Sequence, residues 1–256
     1  MSNRIETPTP GKVIALWTHP RAMSTALERY FIERADFQVF HEAFSYVYMQ
    51  RGALPHARLE SGHPRDYRGV RELIENARRS GSVFHKDMCY HVPGDLLEDA
   101  AFLRDRVHVF LVRNPEDAIL SLATVHPHVG FDTLGYAEMP LLYSRVREAC
   151  DRAPFVIDAA DLTENPEATI RALCGYAEID FDPAALSWQP GMRSEWQSWE
   201  AWHTAVAETE AIGRPARNYS VSYDTHPHLL RMRGYCEPFY RFMAKQRFTA
   251  EQGMGQ

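Results

Sequence analysis

The 256-residue sequence has few cysteines and no long apolar run. Its four cysteines lie far apart and form no CxxC pair, which excludes a zinc knuckle and a disulfide framework. No stretch approaches the ~18 consecutive apolar residues of a membrane-spanning helix, and residues 1–12 lack the apolar centre of a signal peptide. We therefore expect a cytoplasmic protein without a membrane partner.

The chain also lacks an excess of positive charge. Lys and Arg total 28 against 34 Asp and Glu, which gives a formal net charge of −6. Nucleic-acid binding depends on positive charge, so this balance argues against a nucleic-acid partner. The histidine pairs His85/His91 and His126/His128 do not form the HExxH metal motif, and no metal is expected.

Short apolar segments alternate with helical patterns through the first two thirds of the chain. The segments predict buried strands at 12–17, 37–40, 82–86, 107–112 and 154–158. Asn114-Pro115 and Asn165-Pro166 predict helix starts with a capping asparagine and a first-turn proline. The alternation predicts a three-layer α/β fold with a mostly parallel sheet flanked by helices. We expect a single domain, with a core over 13–182 and an appended, mainly helical region over 183–256.

The stretch "LWTHPRAMSTALERYF" at 16–31 predicts a strand, a turn and a helix. That junction places the positive N-terminus of the helix at the carboxyl edge of the sheet, where anions bind. Arg21, Ser24 and Thr25 would then face an anion. The alternative is that Ser24 and Thr25 only cap the helix.

A second junction occurs in "VHVFLVRNPEDAILS" at 107–121. Ser121 lies seven residues after Asn114, which is about two turns of a helix. Arg113 and Ser121 could therefore hold one anion from two sides. The alternative is that Arg113 pairs with Glu116 or Asp117 and that the serine faces water. Together, the two junctions suit a ligand with two separated anionic groups, such as a nucleotide phosphorylated at both ends.

The two segments resemble the signature loops of sulfotransferases that use 3′-phosphoadenosine-5′-phosphosulfate (PAPS). "PRAMST" at 20–25 is similar to the PKSGTT or PRSGST loop of that family, and "VRNPEDAILS" at 112–121 matches its VRNPxDxxxS segment. The resemblance implies a P-loop-like α/β fold. It also implies transfer of a sulfuryl group from PAPS to a hydroxyl or amine of a small-molecule acceptor, with adenosine 3′,5′-bisphosphate (PAP) as the other product.

The resemblance also implies roles for individual residues. Arg21 would contact the phosphosulfate bridge, and Ser24 with Thr25 would bind the 5′-phosphate. Arg113 and Ser121 would bind the 3′-phosphate.

Two features depart from the family pattern. Ala22-Met23 replaces the usual Ser-Gly, so the backbone would cradle the phosphate less closely. The family's C-terminal loop of glycine and lysine is not found. In "GRPARNY" at 213–219, Arg214 and Arg217 are the nearest basic residues that could replace it.

Sulfuryl transfer needs a cation at the departing phosphate oxygen and a base for the acceptor's proton. Arg21 is the first candidate for the cation and Lys86 the second, since many family members place a lysine there in a KxH motif. Residues 86–88 read KDM, so the usual histidine base is missing. We expect Glu42, in "VFHEAF", to act as the base, with His91 as the second candidate.

Alternatives from other functional classes stay open. A P-loop-type small-molecule kinase would need GxxxxGK[ST] and a strand-end aspartate, and the sequence has neither. The Ala22-Met23 substitution also leaves open a non-catalytic nucleotide-binding protein. Trp196, Trp199 and Trp202 form a stripe that favours core packing over a ligand pocket. The sequence does not decide the acceptor or whether the protein forms a homodimer.

Overall fold

The computed structural model describes residues 10–50 and 61–248. Five strands form one parallel sheet in the order β2-β3-β1-β4-β5. They are β1 (Val13–Thr18), β2 (Phe37–His41), β3 (Ser82–Met88), β4 (Val107–Val112) and β5 (Phe155–Asp158). All five match the strands that the sequence predicts, and the parallel α/β fold is confirmed.

Helices cover both faces of the sheet, because successive strand side chains alternate between the faces. Ala15 and Trp17 of β1 pack in one buried cluster, whereas Ile14 and Leu16 pack in the other. The helices are α1 (Ser24–Arg34), α2 (Ser45–Met49), α3 (Tyr67–Ser80), α4 (Gly94–Glu98), α5 (Ala100–Arg104), α6 (Pro115–Val125), α7 (Glu138–Ala149), α8 (Ala159–Glu164), α9 (Pro166–Ala177), α10 (Glu200–Ala207) and α11 (His228–Ala244). Helices α1 and α9 lie on one face, and α3, α6, α7 and α11 on the other.

The two helix starts that follow Asn-Pro differ. Asn114 accepts a hydrogen bond from the backbone N–H of Glu116 at 2.9 Å, and Pro115 opens α6, as the sequence predicts. Pro166 opens α9 in the same way, but the Asn165 side chain makes no capping hydrogen bond, so that part of the prediction is wrong. Helix α8 ends directly before this asparagine. The backbone N–H of Asn165 donates to the carbonyl of Asp161 in that helix.

The sheet order brings three strand ends together. β1 lies between β3 and β4, with Thr18 opposite Met88 on one side and Leu111 on the other. The segments that follow these strands therefore meet at one edge of the sheet. They carry Arg21, His91 and Arg113.

Beyond residue 183 the described chain contains two 3-10 turns and two helices. The turns are Ala184–Leu186 and Ser194–Trp199. Helix α10 packs against α1, and α11 packs against α6, α7, β4 and β5. Within 10–50 and 61–248, none of the helices has the length and apolarity needed to span a bilayer.

Candidate active site

The loop between β1 and α1 has an unusual backbone. Arg21 and Met23 adopt left-handed conformations, with φ values of 63° and 72°. Such values favour glycine, and non-glycine residues that adopt them gather at functional sites. Met23 occupies the N-cap of α1 and makes no side-chain cap. Ser24 and Thr25 are thus the first residues of the helix and not its caps, and both lie on the wall of a cavity.

A buried histidine joins this loop to the end of β4. The Nδ1 atom of His19 donates to the carbonyl of Pro20 at 2.9 Å, and Nε2 accepts from the backbone N–H of Arg113 at 3.0 Å. Burial lowers the pKa of His19 to about 3, so the ring stays neutral and Nε2 stays an acceptor. The Tyr136 ring stacks on His19 and its hydroxyl donates to the Arg113 carbonyl at 2.7 Å.

The three predicted anion-binding residues Arg21, Arg113 and Ser121 lie in direct contact. Arg21 Nε donates to Ser121 Oγ at 3.0 Å, and Arg113 Nη1 donates to the carbonyl of Arg21 at 2.9 Å. Neither guanidinium pairs with a carboxylate among the residues that the structure describes. Burial lowers the pKa of Arg21, and the neighbouring charge of Arg113 lowers it further. Two close, largely buried cations without a counter-charge are suited to bind an anion.

Arg113 does not pair with Glu116 or Asp117, the alternative that the sequence leaves open. Asp117 instead accepts from Arg217 Nη2 at 2.7 Å and from the Tyr219 hydroxyl at 3.4 Å. The Tyr219 hydroxyl also accepts from Arg113 Nη2 at 3.5 Å. Sequence analysis missed Tyr219, although the residue closes the "GRPARNY" segment.

The two arginines predicted to replace the family's C-terminal loop are largely exposed. Arg217 is 74% exposed and does not line the cavity. Arg214 lines the cavity, but its side chain is 72% exposed and its guanidinium pairs with Glu164 at 2.7 Å. The structure therefore does not bring either guanidinium to Arg21 and Arg113.

A cavity of about 570 Å³ opens beside these groups. This volume lies within the ~300–1,000 Å³ typical of small-molecule sites. Its polar and aromatic wall includes Thr25, Glu42, Tyr90, Arg113, Ser121, Trp199, Trp202, His203 and Tyr219. Of the tryptophan stripe, Trp196 is fully buried, whereas Trp199 and Trp202 reach the cavity.

Glu42 and Lys86 form a buried ion pair. Lys86 Nζ donates to Glu42 Oε1 at 2.8 Å, and the Glu42 backbone N–H donates to the Lys86 carbonyl at 2.7 Å. Burial alone would raise the pKa of Glu42, but the charges of Lys86 and His41 outweigh it and hold the value at about 2. Glu42 reaches the cavity wall, while Lys86 is fully buried behind it.

His91 follows β3 in the short turn Cys89–His91. Burial lowers its pKa to about 4, and neither ring nitrogen has a hydrogen-bond partner in the described part of the chain. A positive charge on His91 would lower the pKa of Glu42, so the two predicted base candidates are neighbours. Only Glu42 of the two lines the cavity.

A pair of histidines that the sequence analysis did not select lies beside Glu42. His41 Nε2 and His203 Nε2 are 3.0 Å apart, and His41 Nε2 lies 3.5 Å from Glu42 Oε1. One ligand atom from each of these residues lies within 4.8 Å of the others, a spacing that could hold a metal ion. His41 directly precedes Glu42 in "VFHEAF", and His203 ends "WQSWEAWH", which are the only sequence signals for the pair.

Comparisons with known proteins point to one family. Residues 12–246 match the sulfotransferase domain family. The chain is 27% identical over 250 residues to branched-chain-amino-acid aminotransferase-like protein 2 of Arabidopsis thaliana, and 29% identical over 224 residues to protein 1 of the same name and organism. These alignments cover 91% and 80% of this chain but 41% and 37% of the relatives, so the chain spans about two fifths of their length.

Two solved structures share the fold. The sulfotransferase domain of the Synechococcus PCC 7002 olefin synthase superposes with a TM-score of 0.53 and 12% identity, covering 89% of this chain and 94% of that one. The sulfotransferase of Alicyclobacillus acidocaldarius superposes with a TM-score of 0.51 and 12% identity, covering 95% and 99%. The match over residues 12–246 and the parallel five-stranded sheet place the chain in the sulfotransferase domain family, as its two signature loops indicate.

Proposed function

We propose that the protein is a PAPS-dependent sulfotransferase, which moves a sulfuryl group to a hydroxyl or amine of a small-molecule acceptor by metal-free in-line displacement. The observation that carries this proposal is the contact of Arg21, Ser121 and Arg113, with no carboxylate on either guanidinium in the described chain. Such a cluster needs an anionic ligand to compensate its charge.

The donor would occupy both junctions at once. Its 5′-phosphosulfate would lie at the N-terminus of α1, against Ser24 and Thr25, where the helix dipole favours negative charge. Its 3′-phosphate would bind Arg113 and Ser121. PAP, which keeps both phosphates, would then bind more tightly than a nucleotide phosphorylated only on the 5′ side.

The proposed reaction uses fixed cations to stabilise the leaving group. As the sulfuryl group leaves, negative charge grows on the bridging oxygen. Arg21 lines the cavity and lies three residues before the first residue of α1, so we assign it to this oxygen. Lys86 acts indirectly, because its ammonium is buried and holds Glu42. Glu42 keeps a charged carboxylate at the cavity, where it can accept a hydrogen bond from the acceptor. Its Oε1 atom already accepts from the Lys86 ammonium, which disfavours the uptake of a second proton there.

The cavity wall also supports a class of acceptor. Tyr90, Trp199 and Trp202 contribute aromatic surface beside the polar groups. Aromatic rings bind apolar or aromatic alcohols, and they also stack on sugars. We therefore propose a small organic alcohol or amine as the acceptor.

Calorimetric titration with PAP, run beside ATP with Mg²⁺, tests the donor site. We expect PAP to bind and ATP not to match it. Arg113→Ala should weaken PAP binding about 10- to 100-fold, since hydrogen bonds to charged groups contribute ~1.5–3 kcal/mol. Arg241→Ala is the matched control, because that arginine is exposed on α11 and pairs with Glu237. Binding of ATP alone would favour a kinase, and binding of neither nucleotide would overturn the proposal.

A further inference from the structure

A chain of hydrogen-bonding groups runs inward from the cavity wall. Thr25 Oγ1 lies 3.4 Å from His203 Nδ1, and His203 Nε2 lies 3.0 Å from His41 Nε2. His41 Nδ1 lies 2.8 Å from Oε2 of Glu28, which is fully buried. Thr25 and His203 line the cavity, whereas His41 and Glu28 lie behind them.

The partners of each atom fix where the protons lie. Glu28 also accepts from Trp196 Nε1 at 3.1 Å, so its carboxyl group faces two N–H donors. A neutral His41 carries its proton on Nδ1 to donate to Glu28, which leaves a lone pair on Nε2. His203 must then carry its proton on Nε2 to donate to His41, which leaves the lone pair of Nδ1 toward Thr25 and the cavity.

The surroundings keep His203 neutral before a donor binds. Burial lowers the pKa of His203 well below its ordinary value, and the charges of Lys86 and Arg21 act in the same direction. The Nδ1 lone pair is therefore available. When Thr25 turns its hydroxyl toward the 5′-phosphate of the donor, Nδ1 loses the one partner that the described chain gives it.

A metal ion is the competing occupant of this cluster. It would need a lone pair on one ring nitrogen of each histidine and an oxygen of Glu42. Glu42 Oε1, however, already accepts from the Lys86 ammonium at 2.8 Å, and a second cation there would be repelled. The 3.0 Å distance between the two Nε2 atoms is an ordinary hydrogen-bond length.

We propose that His203 Nδ1 accepts the proton of the acceptor's hydroxyl, and that His41 and Glu28 position His203 for this step. This proposal rests on the proposed sulfuryl transfer. As the acceptor oxygen bonds to sulfur, its proton moves to His203 Nδ1. The bond from sulfur to the bridging oxygen breaks, and its electron pair stays on the 5′-phosphate of PAP. The Nε2 proton of His203 can pass to His41, whose charge is balanced by Glu28, before the proton returns to water.

The proton positions can be measured without knowing the acceptor. The wild-type protein, labelled with ¹⁵N-histidine and treated with EDTA, would be examined by two-bond ¹H–¹⁵N correlation NMR, with the His203→Asn and His41→Asn variants for assignment. We expect His203 to carry its proton on Nε2 and His41 on Nδ1. A proton on His203 Nδ1 would overturn the proposal. So would zinc that binds tightly to the wild-type protein and not to His203→Asn, since both Nε2 atoms would then be ligands.

Kinetics with PAPS and phenol as a probe acceptor give a second test, because the phenol hydroxyl stays protonated at neutral pH and needs a base. His203→Ala should lower kcat about 100-fold or more, as expected for loss of a general base. Added imidazole should restore part of the kcat that His203→Ala loses. Glu28→Gln should lower kcat at least about 10-fold with KM for PAPS nearly unchanged. His128→Ala, at an exposed histidine, should have no effect.

PAP titration of each variant separates the two proposals. Unchanged PAP affinity with full turnover in His203→Ala would overturn the role of His203 and leave the sulfotransferase proposal intact. Failure of the wild-type protein to bind PAP would instead remove the proposed function, while the NMR result would still decide the proton positions.

Discussion

His19 Nε2 accepts a hydrogen bond from the backbone N–H of Arg113 at 3.0 Å, and this bond joins the loop after β1 to the loop after β4. The ring also stacks on Tyr136, which holds the Arg113 carbonyl. Arg113 is thus fixed at both backbone polar groups. The position of its guanidinium depends on a residue at the end of a different strand.

Replacement of His19 should therefore disturb donor binding. In His19→Phe the ring can still stack on Tyr136, but the buried Arg113 N–H loses its acceptor, which costs about 1–3 kcal/mol of the free energy of unfolding. The PAP affinity of His19→Phe should also fall. His19→Gln, whose amide oxygen can reach the place of Nε2, should lose less of both. Urea unfolding and PAP calorimetry measure the two effects, and equal losses in the two variants would contradict this role.

Arg217 should contribute little to nucleotide binding. Its guanidinium is 74% exposed and pairs with Asp117 outside the cavity wall. We expect Arg217→Ala to change PAP affinity by less than about threefold, since exposed ion pairs contribute ~0–1 kcal/mol. A loss as large as that of Arg113→Ala would show that Arg217 moves onto the nucleotide.

The left-handed backbone at Met23 leads to a matched pair of variants. Met23→Gly removes a conformational strain of about 1–2 kcal/mol and gives up side-chain contacts, so the free energy of unfolding should change little. PAP binding should persist. Met23→Val places a β-branched residue at φ 72° and should lower both stability and PAP affinity. Equal behaviour of the two variants in urea unfolding would argue against strain at this position.

The Glu42–Lys86 pair should show strong coupling. Lys86→Met leaves a buried carboxylate unpaired and should cost about 3–5 kcal/mol. Adding Glu42→Gln removes that charge, so the double variant should be more stable than Lys86→Met alone. Glu42→Gln alone should leave PAP affinity within about threefold and slow turnover. A double variant less stable than either single variant in urea unfolding would contradict the coupling.

Acid should begin to destabilise the protein at pH values above those at which carboxylates titrate. Burial lowers the pKa of His19 to about 3 and those of His91 and His108 to about 4, against an ordinary value of ~6.5. Below pH ~6.5 the unfolded chain binds protons that the folded chain excludes, so stability falls as the pH falls. The slope is at most about 1.4 kcal/mol per pH unit for each histidine.

Urea unfolding at intervals from pH 7.5 to pH 5 measures this slope. His128→Ala should leave the slope unchanged, because that side chain is exposed in the folded protein. A free energy of unfolding that stays level over this range would contradict neutral buried histidines.

Sequence patterns predicted the sheet well, because each strand is a short apolar run bounded by turn residues. They also indicated that Arg21 and Arg113 would reach one edge of the sheet, where parallel strands end. They did not predict the direct contact of Arg21 with Ser121, because the two residues were assigned to different phosphates. They could not find His203 or Tyr219, which lie nearly 200 residues from the first loop and reach the cavity only through the packing of the C-terminal region. The asparagine at 165 shows a local limit, because it also ends helix α8 and its side chain makes no capping hydrogen bond to α9.

The uncompensated guanidinium pair makes the measured stability of this protein depend on its buffer. Arg21 and Arg113 repel each other in the free protein, and any small dianion that binds between them relieves that repulsion. An anion at one hundred times its dissociation constant adds about 2.7 kcal/mol to the free energy of unfolding. For the proposed anion site, a melting temperature taken in sulfate or phosphate would therefore report the occupancy of the site as well as the strength of the fold.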